Sequence, residues 1–185
     1  MDDLRSVLDR YHPRDGESAG VDRLRRLVDE GDPWARNGTF HATASALVVD
    51  PRGRRVLLRW HERMQRWLQV GGHADPGETD PWIIALREAR EETGLRDLAP
   101  LVPALERVPV QIVVVPVPAS GDELAHEHAD IRYAFATARP EQSKAETGDA
   151  PVRWVGFDEA RAEITEPNLL ELVARVEVLV DDVTR

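Results

Sequence analysis

The sequence predicts an α+β domain with helical ends. Three observations lead there. Apolar residues recur at helical spacing near both ends of the chain. The middle is dominated by short runs rich in β-branched residues, separated by Pro- and Gly-containing turns. A single strongly charged helix, over residues 80–94, interrupts those runs.

The elements follow in order. Leu4, Val7, Leu8 and Tyr11 fall at helical spacing, as do Leu24, Leu27 and Val28. Pro13 and the stretch from Gly16 to Gly20 separate the two pieces, and Gly31-Asp32-Pro33 ends the second. Residues 1–36 thus read as a helical extension packed on the edge of a domain spanning 37–185, with substrate cover or a dimer contact as its other roles. His41 to Val49 reads as a strand, Pro51-Arg52-Gly53 as a turn and Arg54 to Trp60 as the next strand. Trp67 to Val70 is a short third. After the charged helix come strands at Leu105 to Val117 and Ile131 to Thr137, a loop over 138–150, and a short strand at Val152 to Val155. Pro167 to Val180 closes the chain as a helix with Leu169, Leu172, Val173, Val176 and Leu179 on one side.

Bulk composition narrows the function. A length of 185 residues, 42% hydrophobic and 31% charged, fits one soluble domain with its own core. No apolar run approaches the roughly 20 residues of a membrane span. Met1-Asp2-Asp3-Leu4-Arg5 lacks the basic-then-apolar pattern of a signal peptide. With no cysteine there is no disulfide, thiolate zinc site or cysteine nucleophile, and a cytoplasmic location is the expectation. The net charge of −10 opposes binding to a nucleic acid backbone. A small phosphorylated substrate is compatible with it, because a metal ion and a few arginines reverse the local field.

The charged helix holds the chemistry. Asp80-Pro81 is a strong start, since Asp caps early N–H groups and Pro suits the first helical position. Gly94 is a strong stop. With Arg87 as zero on the helical wheel, Glu91 lies near ~40°, Glu88 near ~100° and Glu92 near ~140°. The three carboxylates share a face and repel one another unless a cation is present. Trp82, Ala85, Leu86 and Ala89 form the expected buried face, Ile83 lies at its edge, and Ile84 needs a partner outside the main core. Magnesium and manganese prefer such oxygen ligands and bridge them to phosphates.

Gly72-His73-Ala74-Asp75-Pro76-Gly77-Glu78 followed by Arg87-Glu88-Ala89-Arg90-Glu91-Glu92-Thr93-Gly94-Leu95 strongly resembles the Nudix box, the signature of the Nudix hydrolases. The sequence departs from the pattern at one point: eight residues rather than seven separate Glu78 from Arg87. Placing the extra residue in the loop, at Thr79, leaves the helix intact and bears only on the contact between Glu78 and Arg87. The resemblance implies an α/β/α sandwich with a mixed sheet. It also implies a pyrophosphohydrolase that cleaves a nucleoside diphosphate linked to another group by water attack on phosphorus. By the same resemblance Gly72, Glu88, Glu91 and Glu92 are metal ligands for Mg²⁺ or Mn²⁺, with Glu88, Arg87 and Glu91 in the catalytic set. Glu78 and Gly94 are structural, Glu78 by holding Arg87. The base is Glu88 or comes from a later loop, where Glu141 and Glu146 are candidates. The rival readings are a nucleotide-binding or sensor module that kept the fold without catalysis, and a diphosphate isomerase, whose cysteine this chain lacks.

Outside the box, residues 124–133 alternate. As a strand, they put His126, His128, Asp130 and Arg132 on one face and Ala129, Ile131 and Tyr133 on the other. His126 and Asp130 would then lie roughly 13 Å apart, too far for one shared ion. A polar wall of the substrate pocket is the favoured role for His126, His128 and Arg132, ahead of an exposed polar face or a metal role. His73, next to Gly72, faces substrate or stabilises its loop. His41 and His61 read as packing residues. Trp67, Trp82 and Trp154 read as core, and Trp34 and Trp60 as more open. The expected partner is a small nucleoside diphosphate derivative, with no nucleic acid or membrane; a homodimer stays open.

Overall fold

A computed structural model describes residues 3–121 and 123–184; Met1 and Asp2 of the predicted extension, and Arg185, lie outside the described residues. The lead-in forms α1 (Leu4–Arg10) and α2 (Ser18–Glu30). Asp3 caps α1 by accepting the Ser6 backbone N–H at 2.9 Å. Eight strands then build one sheet: β1 (Phe40–Asp50), β2 (Arg55–His61), β3 (Arg66–Leu68), β4 (Val70–Gly72), β5 (Ala99–Pro100), β6 (Gln111–Val117), β7 (His126–Ala136) and β8 (Val152–Gly156). The charged helix is α3 (Pro81–Thr93), and α4 (Phe157–Glu163) and α5 (Pro167–Thr184) close the chain.

The sheet is mixed, as expected. β1 and β7 run parallel at its centre, from Phe40 opposite Glu127 to Val49 opposite Ala136, while every other pairing is antiparallel. The predicted strand over Trp67–Val70 divides in two for a topological reason. β3 pairs with β2, whereas β4 pairs with β1 at Ala44–Ala46, so the chain changes partner at Gln69. The strand predicted from Leu105 begins only at Gln111, because Pro103–Leu105 forms a turn of 3₁₀ helix and Arg107 takes a positive φ of 61°. The strand predicted from Ile131 begins at His126, since β1 and β6 supply partners along its polar half. Sequence patterning missed α4, whose buried Phe157 and Ala160 are too few to show periodicity, and the last turn of α5.

Alternation along β1 and β7 sorts side chains to the two faces. Ala42, Ala44, Ala46 and Val48, with Ala129, Ile131, Tyr133 and Phe135, pack against α1, α2 and α3. Leu47, Val49 and Ala134 lie in the second core with α4 and α5. The helices thus cover both faces, giving the α/β/α sandwich. Trp82 docks α3 edge-on against Phe135 at 4.7 Å and Tyr133 at 5.2 Å between ring centres. Trp34, expected to be open, is buried in the same core. Among the described residues, no helix is long and apolar enough to cross a membrane.

A buried ion pair ties the N-terminal helices to α5. Arg175 Nη1 lies 2.6 Å from Glu17 Oε1, and both side chains are almost completely shielded from solvent. Glu17 also accepts from the Tyr11 hydroxyl at 2.6 Å and the Arg14 N–H at 2.8 Å. The Tyr11 oxygen in turn accepts the Ile112 N–H of β6 at 3.1 Å. Removing Glu17 leaves the buried Arg175 guanidinium with only the half-exposed carboxylate of Glu171 to offset its charge. Glu17→Ala is therefore expected to lower unfolding stability by about 3 kcal/mol or more. Glu17→Ala combined with Arg175→Met should recover part of that loss; chemical denaturation of the single and double variants measures both.

Candidate active site

The sharp boundaries of α3 come from its caps. Asp80 Oδ1 accepts the Trp82 and Ile83 N–H groups at 3.1 and 3.4 Å. Gly94 ends the helix in the left-handed region at φ 70°, its N–H donating to Arg90 O at 2.9 Å. The buried arc is wider than the wheel implies. Ile84 is fully buried within the main core instead of needing a separate partner, Leu86 is half-buried and Ile83 is exposed. The reason is that α3 lies in a trough formed by β1 and β4, so Ile84, Glu88 and Glu92 turn toward the strands.

Arg87 organises the carboxylates. Its Nη1 donates to Glu88 Oε1 and to Glu91 Oε2, both at 2.9 Å. Its Nη2 donates to Glu78 Oε2 and to the His73 carbonyl, both at 2.9 Å, and Nε reaches Glu78 Oε1 at 3.1 Å. The Glu78–Arg87 contact therefore forms despite the extra loop residue. The loop absorbs it by folding on itself, with Gly77 at φ 89° and the Asp75 N–H bonded to Glu78 Oε2 at 2.8 Å.

The three glutamates sit in different surroundings. Glu91 is half exposed. Glu88 lies against Gly72 so closely that a Cβ there would come within 2.7 Å of its carboxylate oxygen. Glu92 is buried, accepts the Gly71 N–H at 2.8 Å, and has Arg59 Nε 3.1 Å from its other oxygen. Burial pushes the Glu88 carboxyl pKa up against the pull of Arg87. Burial likewise raises Glu92 to about 7, opposed by Arg59 and the Gly71 N–H and reinforced by Glu88 and Glu146. Glu146 reaches this neighbourhood because its loop docks on the end of α3, the Lys144 N–H bonding Thr93 O at 2.7 Å. Glu141 sits exposed in the 3₁₀ turn Pro140–Gln142.

On the sheet face opposite α3, a cleft of about 280 Å³ opens beside Gly71 and Gly72. His73, His126, His128 and Arg132 all line it, which brings the four predicted substrate-side residues together. Arg132 forms its buried floor, donating to Asp130 Oδ2 at 2.7 Å, Gln111 Oε1 at 3.1 Å and Asn168 Oδ1 at 3.0 Å. Ser45 and Thr43 also donate to Asp130, at 2.9 and 3.2 Å. His41, read from sequence as a packing residue, instead joins the histidines: its Nε2 is 3.1 Å from His73 Nε2. The alternation of His41, Thr43 and Ser45 with Ala42, Ala44 and Ala46 held that signal. Nothing in the sequence marked Arg59, which reaches Glu92 only through the β2–β1–β4 arrangement. Burial lowers His73 to about 4 and His128 to about 3, with neighbouring positive charge adding to the effect, so both rings are neutral at pH 7.

The family model for the NUDIX domain matches residues 39–176. Among solved structures, a NUDIX-family hydrolase from Clostridium perfringens superposes with a TM-score of 0.53 at 20% identity, covering 77% of this chain and 97% of that one. The C. elegans Ap4A hydrolase gives 0.53 at 17% identity, covering 75% and 97%. The E. coli dihydroneopterin triphosphate pyrophosphohydrolase gives 0.54 at 14% identity, covering 74% and 94%. At these identities the likeness is one of fold. No curated protein matches the sequence significantly.

The raised Glu92 pKa has a consequence for metal-free protein. Between the ordinary carboxylate value of 4.5 and about 7, the folded chain holds a proton that the unfolded chain releases. This stabilisation is complete below 4.5 and is lost as pH rises through 7. Glu92→Gln lacks the loss, so from pH 4.5 to pH 8 it should gain stability relative to the parent by roughly 3 kcal/mol. Denaturation in a chelating buffer across that range measures the difference; parallel profiles would contradict the environment described for Glu92.

Proposed function

The chain belongs to the Nudix family, and on that premise we propose that it is a Mg²⁺- or Mn²⁺-dependent pyrophosphohydrolase. Its substrate is a small nucleoside diphosphate derivative, cleaved by water attack on phosphorus. The observation that carries this reading is the placing of Glu88 against Gly72 and of Glu92 on the Gly71 N–H, with Glu88 and Glu91 held by Arg87, beside a polar cleft. Residues 1–36 are read as an extension on a domain of 37–185. The start of the family match at residue 39 supports that division, and the burial of α1 and α2 in the main core supports their packing on the domain.

The donor set fits a hard divalent cation. All its atoms are oxygens, from Glu88, Glu91, Glu92 and the Gly72 carbonyl, and two of the carboxyls have pKa values raised in a way that a nearby cation would reverse. A bound divalent ion supplies charge neutralisation at the phosphates and lowers the pKa of coordinated water. The protein's own contribution is positional. Arg87 holds Glu88 and Glu91 in register, and Glu78 with the His73 carbonyl holds Arg87. A base must sit where its proton affinity suits neutral pH. Burial moves Glu88 in that direction, raising its pKa above the ordinary carboxylate range. Glu146 is the loop candidate better supported than Glu141, because its charge is felt at Glu92. Arg132, His73, His126 and His128 form the wall that receives the rest of the substrate.

Screening nucleoside diphosphate compounds with Mg²⁺ or Mn²⁺ in ¹⁸O-labelled water tests the reading. Phosphorus NMR then identifies the atom that acquires the label. Glu91→Gln and Glu92→Gln should each lower kcat by about 10²-fold or more while the folded spectrum is retained. Unchanged phosphate release in these variants would overturn the site assignment. Binding without turnover across the panel would favour the nucleotide-binding module.

A further inference from the structure

Four imidazoles converge at one end of the cleft, and phosphoanhydride hydrolysis at the glutamates does not account for them. His41 opens β1 and is the direct cross-strand partner of His128 on β7. His73 follows β4, and His126 precedes His128 by one alternation of the strand. Ring centres lie 4.8 Å apart for His41 and His128, 4.9 Å for His73 and His128, and 5.2 Å for His41 and His73. Nε2 of His126 is 3.0 Å from Nε2 of His128. One nitrogen from each of His41, His73 and His128 falls within 4.8 Å of the other two.

Such contacts restrict the chemistry. Two protonated rings at this distance repel, so each N···N contact pairs one N–H with one lone pair. Converging neutral imidazoles are ligands for a borderline divalent ion, a class distinct from the hard cations that carboxylates prefer. We propose that His41, His73 and His128 form a three-imidazole site for a transition-metal ion, Zn²⁺ foremost, separate from the glutamate site. Tetrahedral Zn–N bonds place ligand nitrogens about 3.3 Å apart. The rings therefore draw together on binding by side-chain rotation, the His73 carbonyl staying on Arg87. His126 acts as an orienting neighbour. Its Nδ1 lies 2.9 Å from Leu124 O, an N–H donation that turns Nε2 toward His128. His73 and His128 both line the cleft, so the fourth coordination position faces it and accepts water or an anionic oxygen of the cleft's ligand. The site does not depend on the assignment of the glutamates.

Co²⁺ serves as a spectroscopic probe and Zn²⁺ as its competitor on the chelator-stripped full chain. One equivalent of Co²⁺ should produce the visible bands of a four-coordinate, nitrogen-ligated ion. Zn²⁺ should displace it, and excess Mg²⁺ should not. The bands should persist in Glu88→Gln/Glu91→Gln and weaken by about tenfold or more in apparent affinity in His128→Gln and His41→Gln. Because His41 is buried, His73→Asn on the loop provides a variant less exposed to folding defects, and circular dichroism checks all of them. Absence of such bands in the parent chain would overturn the proposal. So would bands that vanish in the glutamate double variant yet survive His128→Gln and His73→Asn.

Discussion

Three carboxylates on one helical face repel, and the candidate site exists because Arg87 holds two of them. A single guanidinium donates to Glu88 and Glu91 on one side and to Glu78 and the His73 carbonyl on the other. Its planar fork suits this better than an ammonium would, since several acceptors are met at fixed angles. The same contacts bind the loop after β4 to α3. The helix, the loop and Gly72 therefore behave as one unit, and the close approach of Glu88 to Gly72 follows from it.

That unit is positioned by the branching of the sheet. β1 shares one edge between β4 and β2 and gives the other to β7. The alternation of β1 and β7 then decides what each face can do. Small and apolar residues face α3 and build the core, while His41, Thr43, Ser45, His128, Asp130 and Arg132 face the other way. Under the body of α5 the interior is apolar; at its first turn, where Asn168 meets Arg132, and beyond it, the polar residues line the cleft. Burying Arg132 there is tolerable because Asp130, Gln111 and Asn168 satisfy it.

The N-terminal helices are part of the same packing. Glu17, Arg175 and Tyr11 join α2, α5 and β6 through groups shielded from water. The apolar side chains of α1 and α2 enter the core that supports α3. Whatever steadies these helices steadies the sheet from which the cleft is built.

The sequence by itself determined the charged helix, its caps and its carboxylate face, because these depend on spacing within one turn and on residues adjacent in the chain. Most strands and both terminal helices were legible for the same local reason. Only the tertiary structure decided where strands divide or extend, since pairing partners distant in sequence set those limits at Gln69 and His126. It also decided the fates of individual side chains. Ile84 became core because of the trough between β1 and β4. The Glu78–Arg87 contact survived because the loop could absorb Thr79. His41 met His73 and His128 because a parallel pairing joins residues 87 positions apart in the chain. Contacts of that kind depend on which strands become neighbours, and no local pattern records it.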